Sequence, residues 1–196
     1  MYRFYLAAVD MLPGILILAP AYWILNRAYF HNGRKSFFYF LFSCYLSVVY
    51  VLVGLPNVTY IHPDVNLNLI PVIGMIRDLK NSILNVLLFV PLGAMLPLLW
   101  NRIRIPKHTV LFGLGASLSI ELLQMLTFRA TDVNDLIANT LGTYIGFLFA
   151  SHLFNKLQLP KADRTGDAGI VIAVVCLVMF FVYPFLSSAL WDFILK

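Results

Sequence analysis

The sequence predicts an all-α bundle embedded in a membrane, with about six transmembrane helices. Two observations carry this. Of the 196 residues, 61% are hydrophobic and 12% are charged, against roughly 25% charged in an ordinary soluble domain; the mean hydropathy is +0.84. The apolar residues also fall into runs of about twenty, the length a helix needs to cross hydrocarbon, where lipid leaves any open backbone group unsatisfied. The length suits a single membrane domain over 1–196 and leaves no room for a separate soluble module.

The spans fall at about 7–25, 37–56, 82–99, 109–128, 135–154 and 169–190. The first reads as a retained helix, because Asp10, Pro13 and Pro20 interrupt its apolar run and no small-x-small cleavage site follows. The second and sixth carry Cys44 and Cys176, expected as small packing residues and not as a disulfide or redox pair. In the third, Pro91 is expected to bend the helix and free the Leu87 carbonyl, with Gly93 opening room beside Asn85. The fifth carries Gly142 and Gly146 in a G-x-x-x-G, which permits close helix contact. His31, His62, His108 and His152 are scattered to loops or helix ends with no Cys/His metal spacing, so neither a metal nor another cofactor is expected. No internal repeat appears, and the Asn57-Val58-Thr59 glycosylation pattern is too short to carry weight.

Lysine and arginine set the expected orientation. The 26–36, 100–108 and 155–168 loops carry Arg27, Arg34, Lys35, Arg102, Arg104, Lys107, Lys156, Lys161 and Arg164. Six helices put these nine on one side and leave Arg3, Arg77, Lys80, Arg129 and Lys196 across from them. Acids split the other way, with Asp163 and Asp167 alone beside the nine. The basic side is therefore expected in the cytoplasm, with both termini, the 57–81 loop and the 129–134 loop outside. The basic residues are dispersed and carry no aromatic-interleaved motif, so nucleic acid is not an expected partner. No oligomeric state is implied.

One stretch departs from this apolar plan. In "IELLQMLTFRATDVNDLIAN", 120–139, stand Glu121, Gln124, Arg129, Asp132, Asp135 and Asn139, including three of the nine acids. Glu121 and Gln124 share a helix face with Ser117 a turn deeper; Asp132, Asp135 and Asn139 form a stripe at spacings of three and four. The segment reads as a helical hairpin, polar at its outer end on both arms. Asn85 joins it from the third helix, and the outer loop adds Asn66, Asn68 and Pro71. A carboxylate in mid-membrane costs at least ~2.5–3.5 kcal/mol on insertion scales, so Glu121 is not expected to face lipid. Two readings compete. Arg129 could pair with the acids while Asp132 caps the fifth helix and Asp135 favours its first turn. Alternatively the cluster lines an outward cavity that binds a ligand, which better accounts for Glu121 and Gln124, set about two turns below the loop.

These residues resemble the VanZ-like family. "NLIP" at 68–71, "NSILNVLLFVPLGAMLPLLW" at 81–100 and "SLSIELLQMLTFRATDVNDLIANTLGTYIGFLF" at 117–149 carry the likeness. The family pattern N-x-x-x-F-x-P-x-G matches Asn85, Phe89, Pro91 and Gly93. E-x-x-Q, Arg, D-x-x-D and N-x-x-G match Glu121 and Gln124, Arg129, Asp132 and Asp135, and Asn139 and Gly142. The match covers about 66–154; the first two helices and the last fit only as apolar spans. The family takes its name from a bacterial membrane protein associated with resistance to the glycopeptide teicoplanin, so the resemblance implies a multi-pass protein of the bacterial cell membrane. It supplies no reaction, and three classes stay open. The chain could bind an amphiphile in the outer leaflet, a lipoglycopeptide or a lipid-linked cell-wall precursor, with Arg129 gripping an anionic head. It could be an intramembrane enzyme on such a membrane lipid, using Glu121 or Asp135 as general base or the acids as ligands of a divalent ion, although the cluster holds no activated nucleophile and no histidine. Or it could be a lipid transporter or flippase.

Overall fold

The computed structural model describes residues 2–63, 67–68, 78–127, 131–153 and 166–194. They form six helices: α1 (Tyr2–Leu25), α2 (Gly33–Val53), α3 (Leu79–Leu99), α4 (Pro106–Gln124), α5 (Val133–Leu153) and α6 (Asp167–Ile194). Two short strands accompany them, β1 (Leu67–Asn68) and β2 (Thr131–Asp132). The all-α bundle expected from the sequence is what forms. Among the described residues, α2, α3, α5 and α6 are long and apolar enough to cross a membrane.

The chain divides into two compact units, one of 1–61 and 164–196 and one of 62–163. The first holds α1, α2 and α6. Its α1 and α2 are joined by polar contacts within an apolar interface: the Tyr22 hydroxyl meets Ser43 Oγ at 2.6 Å, and Ser36 Oγ donates to the Tyr22 carbonyl at 3.1 Å. Phe30 packs between Tyr22 and Tyr39. On α6, Val175 and Met179 pack against Tyr50. The middle of α6 is a π turn, Val178–Val182. Such a turn shifts the helix hydrogen-bond register locally, and here the Phe180 carbonyl accepts from the Val58 N–H at 3.1 Å.

This unit corrects the sequence reading of the basic loops. The 26–36 segment is mostly helical: Arg27 lies in a π turn, Asn26–Phe30, and Arg34 and Lys35 open α2. Asp167, expected in a cytoplasmic loop, is instead the fully buried first residue of α6. It forms an ion pair with Lys35 and accepts a hydrogen bond from the Tyr39 hydroxyl at 3.1 Å. The physical reason is electrostatic. A carboxylate is favoured at a helix N-terminus and an ammonium is not, so Asp167 offsets the unfavourable placement of Lys35. Both cysteines are free thiols, Cys44 half-buried and Cys176 exposed, so Cys176 is not the packing residue expected of it.

The second unit holds α3, α4, α5 and the two strands, and it contains the 66–154 stretch that carries the family resemblance. Two hairpin connections make α3 and α5 run parallel, and glycines bring them to backbone contact. A Cβ on Gly142 would overlap the Val86 carbonyl, one on Gly146 the Val90 carbonyl, and one on Gly93 the Thr143 carbonyl. The G-x-x-x-G thus seats α3 on α5 with a constant register, residue 142 on 86 and 146 on 90. Gly113 does the same for α4, because a Cβ there would strike the Thr143 side chain. Pro91 is exposed on α3 while its neighbours Leu92 and Gly93 are buried, and the helix runs on through it.

Candidate functional site

Each helix of the second unit buries one stripe. On α4 it is Thr109, Gly113, Ser117, Ile120, Glu121 and Gln124, at steps of three or four, the helical repeat. On α5 it runs from Asn134 through Ala138, Asn139, Gly142, Thr143 and Gly146 to Ala150. On α3 it includes Ser82, Phe89, Leu92 and Leu96; Asn85, half-buried, precedes Phe89 by four on the same side. The stripes are not uniform along their length. Toward the hairpin end that joins α4 to α5, the buried side chains include Ser82, Ser117, Glu121, Gln124, Thr127, Asn134 and Asn139, each less than 9% exposed, beside the apolar Ile120 and Ala138. Away from it they are mostly apolar, Leu92, Leu96, Leu99, Trp100, Phe147 and Ala150, with Thr109 among them.

Glu121 is 3% exposed. Its Oε2 accepts from the Asp132 backbone N–H at 2.9 Å, and its own carbonyl accepts from Thr131 Oγ1 at 3.0 Å. The carboxylate of α4 is therefore fastened to the backbone of the loop that begins α5. Asp132 caps α5, its Oδ1 accepting from the Asn134 backbone N–H at 2.8 Å and from the Asn134 amide at 2.7 Å. A turn deeper, Asn139 Nδ2 donates to Ser117 Oγ at 2.9 Å, tying α5 back to α4. Asn139 Oδ1 is buried with no hydrogen-bond partner among the described residues. Asp135, half-buried in the first turn of α5, precedes Gly142 by seven and so lies on the side of α5 that faces α3.

His62 and strand β1 reach the same place. Strand β1 pairs in parallel with β2, setting Leu67 beside Thr131 and Asn68 beside Asp132. The His62 N–H donates to the Leu126 carbonyl at 2.8 Å. His62 and Asn68 therefore lie on the two flanks of the hairpin. Asn66, Pro71 and Arg129 lie outside the described residues.

One expectation shifts. The sequence carried the fourth helix to about residue 128, leaving Glu121 and Gln124 two turns below the loop. The helix ends at Gln124, because the Thr127 N–H and hydroxyl both donate to the Gln124 carbonyl, at 2.9 and 3.1 Å, and close the C-terminus early. Gln124 is thus the last helical residue and Glu121 lies one turn from the end. Sequence reading also missed Asn134 and Thr127. The D-x-N spacing of Asp132 and Asn134 is a local signal for the first, since an aspartate side chain readily bonds the backbone two residues on. Thr127 has no comparable signal.

Chemically, the hairpin end gathers carboxylate and amide oxygens around a backbone loop, in a site walled by apolar helices. Such oxygens receive N–H and O–H donors, and one of them, Asn139 Oδ1, is buried and open among the described residues.

A family model described as VanZ/LLP1 matches residues 37–155. The match begins in α2, so that helix belongs to the shared region and is more than a generic apolar span. Protein VanZ of Enterococcus faecium is 31% identical over 120 residues, 60% of this chain and 71% of that protein. No solved structure matches the chain.

Proposed function

From the fact that this chain belongs to the VanZ/LLP1 family, we propose that it acts in the bacterial cell membrane by binding an amphiphile at the hairpin end, in the setting of glycopeptide resistance. The chain is a VanZ-type protein embedded in a membrane. In the proposed orientation the hairpin end faces outward, with both termini on the same side. The ligand is a lipoglycopeptide such as teicoplanin or a lipid-linked cell-wall precursor, its head among Glu121, Gln124, Asp132, Asp135, Asn139, Asn85 and Asn68, with Arg129 gripping an anionic group.

The observation that carries this is the polar end of an otherwise apolar three-helix unit. Glu121 stands nine-tenths buried where water is scarce and is fastened to a loop backbone. Buried polar groups inside membrane proteins are costly and tend to mark binding or transport paths. The buried carboxylate and amide side chains of α4 and α5 stop at Asn139, and beyond them Leu92, Leu96 and Phe147 make up most of the buried interior, with Thr109 at the far end of α4. A site at one end supports binding over passage across the membrane.

The test of the site is the phenotype. Arg129→Ala and Glu121→Gln are each expected to abolish the glycopeptide resistance that the wild-type gene confers on a sensitive host, with membrane levels of the protein unchanged. Insertion follows the apolar spans, which neither change touches. Arg129→Lys is expected to fail as well, because lysine offers a point charge in place of a fork. Full resistance in both Arg129→Ala and Glu121→Gln would reduce the cluster to caps and ion pairs. The orientation has its own test. In a background lacking Cys44 and Cys176, a cysteine in the 57–81 loop should react with an impermeant thiol reagent in intact cells, and one at 103 should not.

A further inference from the structure

We propose that Ser117 and Asn139 receive one uncharged hydroxyl or amide of the ligand at the bottom of the polar end; the inference deepens the reading of that end as a head-group site and rests on it. Asn139 is 4% exposed and Ser117 is fully buried. Asn139 Nδ2 donates to Ser117 Oγ at 2.9 Å. That bond spends one hydrogen of the amide and a lone pair of the hydroxyl. Asn139 Oδ1 is left as an acceptor with no hydrogen-bond partner among the described residues. The Ser117 O–H is left as a donor with no acceptor among them. The reverse setting of the amide, with its oxygen toward Ser117, leaves the same pair in other atoms: an Nδ2 hydrogen to donate and the Ser117 oxygen to accept. In either setting one donor and one acceptor stand side by side, buried and unspent, which is costly unless something answers them.

The surrounding helices close the interior just beyond this pair. Thr143, one turn further along α5, lies where a Cβ on Gly113 of α4 or on Gly93 of α3 would strike it. Its hydroxyl is spent on the Asn139 carbonyl at 2.9 Å. All three helices therefore meet at Thr143, and Ser117 and Asn139 are the last level with hydrogen bonds to offer before that floor. With Gly142 seated on Val86, residue 139 falls level with 83, so the half-buried Asn85 of α3 lies within a turn of the pair. The occupant must accept from an O–H and donate to an amide oxygen. A hydroxyl or an amide does both. An ammonium has no lone pair to accept with, and an ionised carboxylate or phosphodiester has no hydrogen to donate. The part of the head that reaches Asn139 is therefore a sugar hydroxyl or a peptide amide, and its charged groups lie elsewhere.

Three probes with one tail test this: dodecyl glucoside, N-dodecanoyl glycinamide and dodecylphosphocholine, whose head has no hydrogen to donate. Each is added to the full-length protein in phosphatidylcholine nanodiscs, and the copies retained per chain are read by native mass spectrometry. The glucoside, the glycinamide or both are expected to be retained about tenfold above the phosphocholine, and Asn139→Leu to remove about that factor, the scale of one hydrogen bond. Preference for the glucoside alone identifies a hydroxyl, and for the glycinamide alone an amide. Asn139→Ala, which adds no bulk, decides the matter where the thermal midpoint shows Asn139→Leu to be unfolded. Equal retention of all three probes, or more of the phosphocholine, overturns the proposal and leaves water as the occupant. A preference that is unchanged without the Asn139 amide overturns it too. Glu121→Gln and Arg129→Ala separate it from the reading it rests on. Retention that depends on Asn139 while both of those variants keep full resistance supports the hydroxyl or amide seat and removes the head-group reading. Resistance lost in both, with retention indifferent to Asn139, does the reverse.

Discussion

Among the described residues two carboxylates are buried, Asp167 and Glu121, and they meet different kinds of partner. Asp167, at the start of α6, meets an ammonium and a phenol, Lys35 and Tyr39, both from α2. Glu121, near the end of α4, takes the backbone N–H of Asp132 from the adjoining loop. The first arrangement joins two helices through side chains, both meeting Asp167 Oδ2, while Asp167 Oδ1 is buried with no hydrogen-bond partner among the described residues. The second couples a side chain to loop geometry, so a movement of the hairpin would free the carboxylate and a ligand contacting the carboxylate would pull on the hairpin.

Substitutions can break the contrast. The largest effect should come from Asp167→Ala, which leaves Lys35 largely buried without its countercharge. Removing one partner of a buried pair costs about 3–5 kcal/mol, so a marked fall in the thermal midpoint of the detergent-solubilised protein is expected. The double change Lys35→Met with Asp167→Leu should recover most of that loss, because well-packed apolar residues often replace a buried pair at no cost. If the double variant is as unstable as the single one, the pair is more than charge compensation.

Gly142→Val comes next. Its side chain would enter the space of the Val86 carbonyl, and overpacking of this kind costs about 1–3 kcal/mol or more. Thermal unfolding should show the loss. An unchanged midpoint would mean that α3 and α5 do not need the approach that carries the polar end.

Asp132→Ala removes the cap of α5 and should cost about 1 kcal/mol. Its effect on resistance should exceed its effect on stability, because the loop whose N–H holds Glu121 loses its shape. Glu121→Gln is the smallest change in stability and the sharpest test of the comparison. Glutamine keeps an oxygen for the Asp132 N–H, so about 1 kcal/mol or less, the scale of one hydrogen bond, is expected. Its phenotype should nevertheless be lost. A large fall in midpoint with resistance intact would place Glu121 with Asp167 as architecture.

Much of this could be read before any folding was considered. The membrane setting and six helices follow from composition and run length, because the hydrocarbon thickness dictates how many apolar residues a helix needs. The cap at Asp132 and the contact stripe of Gly142 and Gly146 are also local, since a turn or a helical repeat decides them. The polar hairpin stood out for the same reason, and its acids, amides and Asn68 do gather at one end. What the tertiary structure alone decided is which group meets which. Lys35 and Asp167 lie far apart in the chain and look like two loop residues until α2 and α6 are side by side. Glu121 gives no local sign that it meets a backbone N–H eleven residues on. The end of α4 at Gln124 depends on a threonine three residues later, where hydropathy still runs on. Burial and capping are sums over neighbours in sequence, whereas a pairing depends on helix register and direction, which form only when the helices pack.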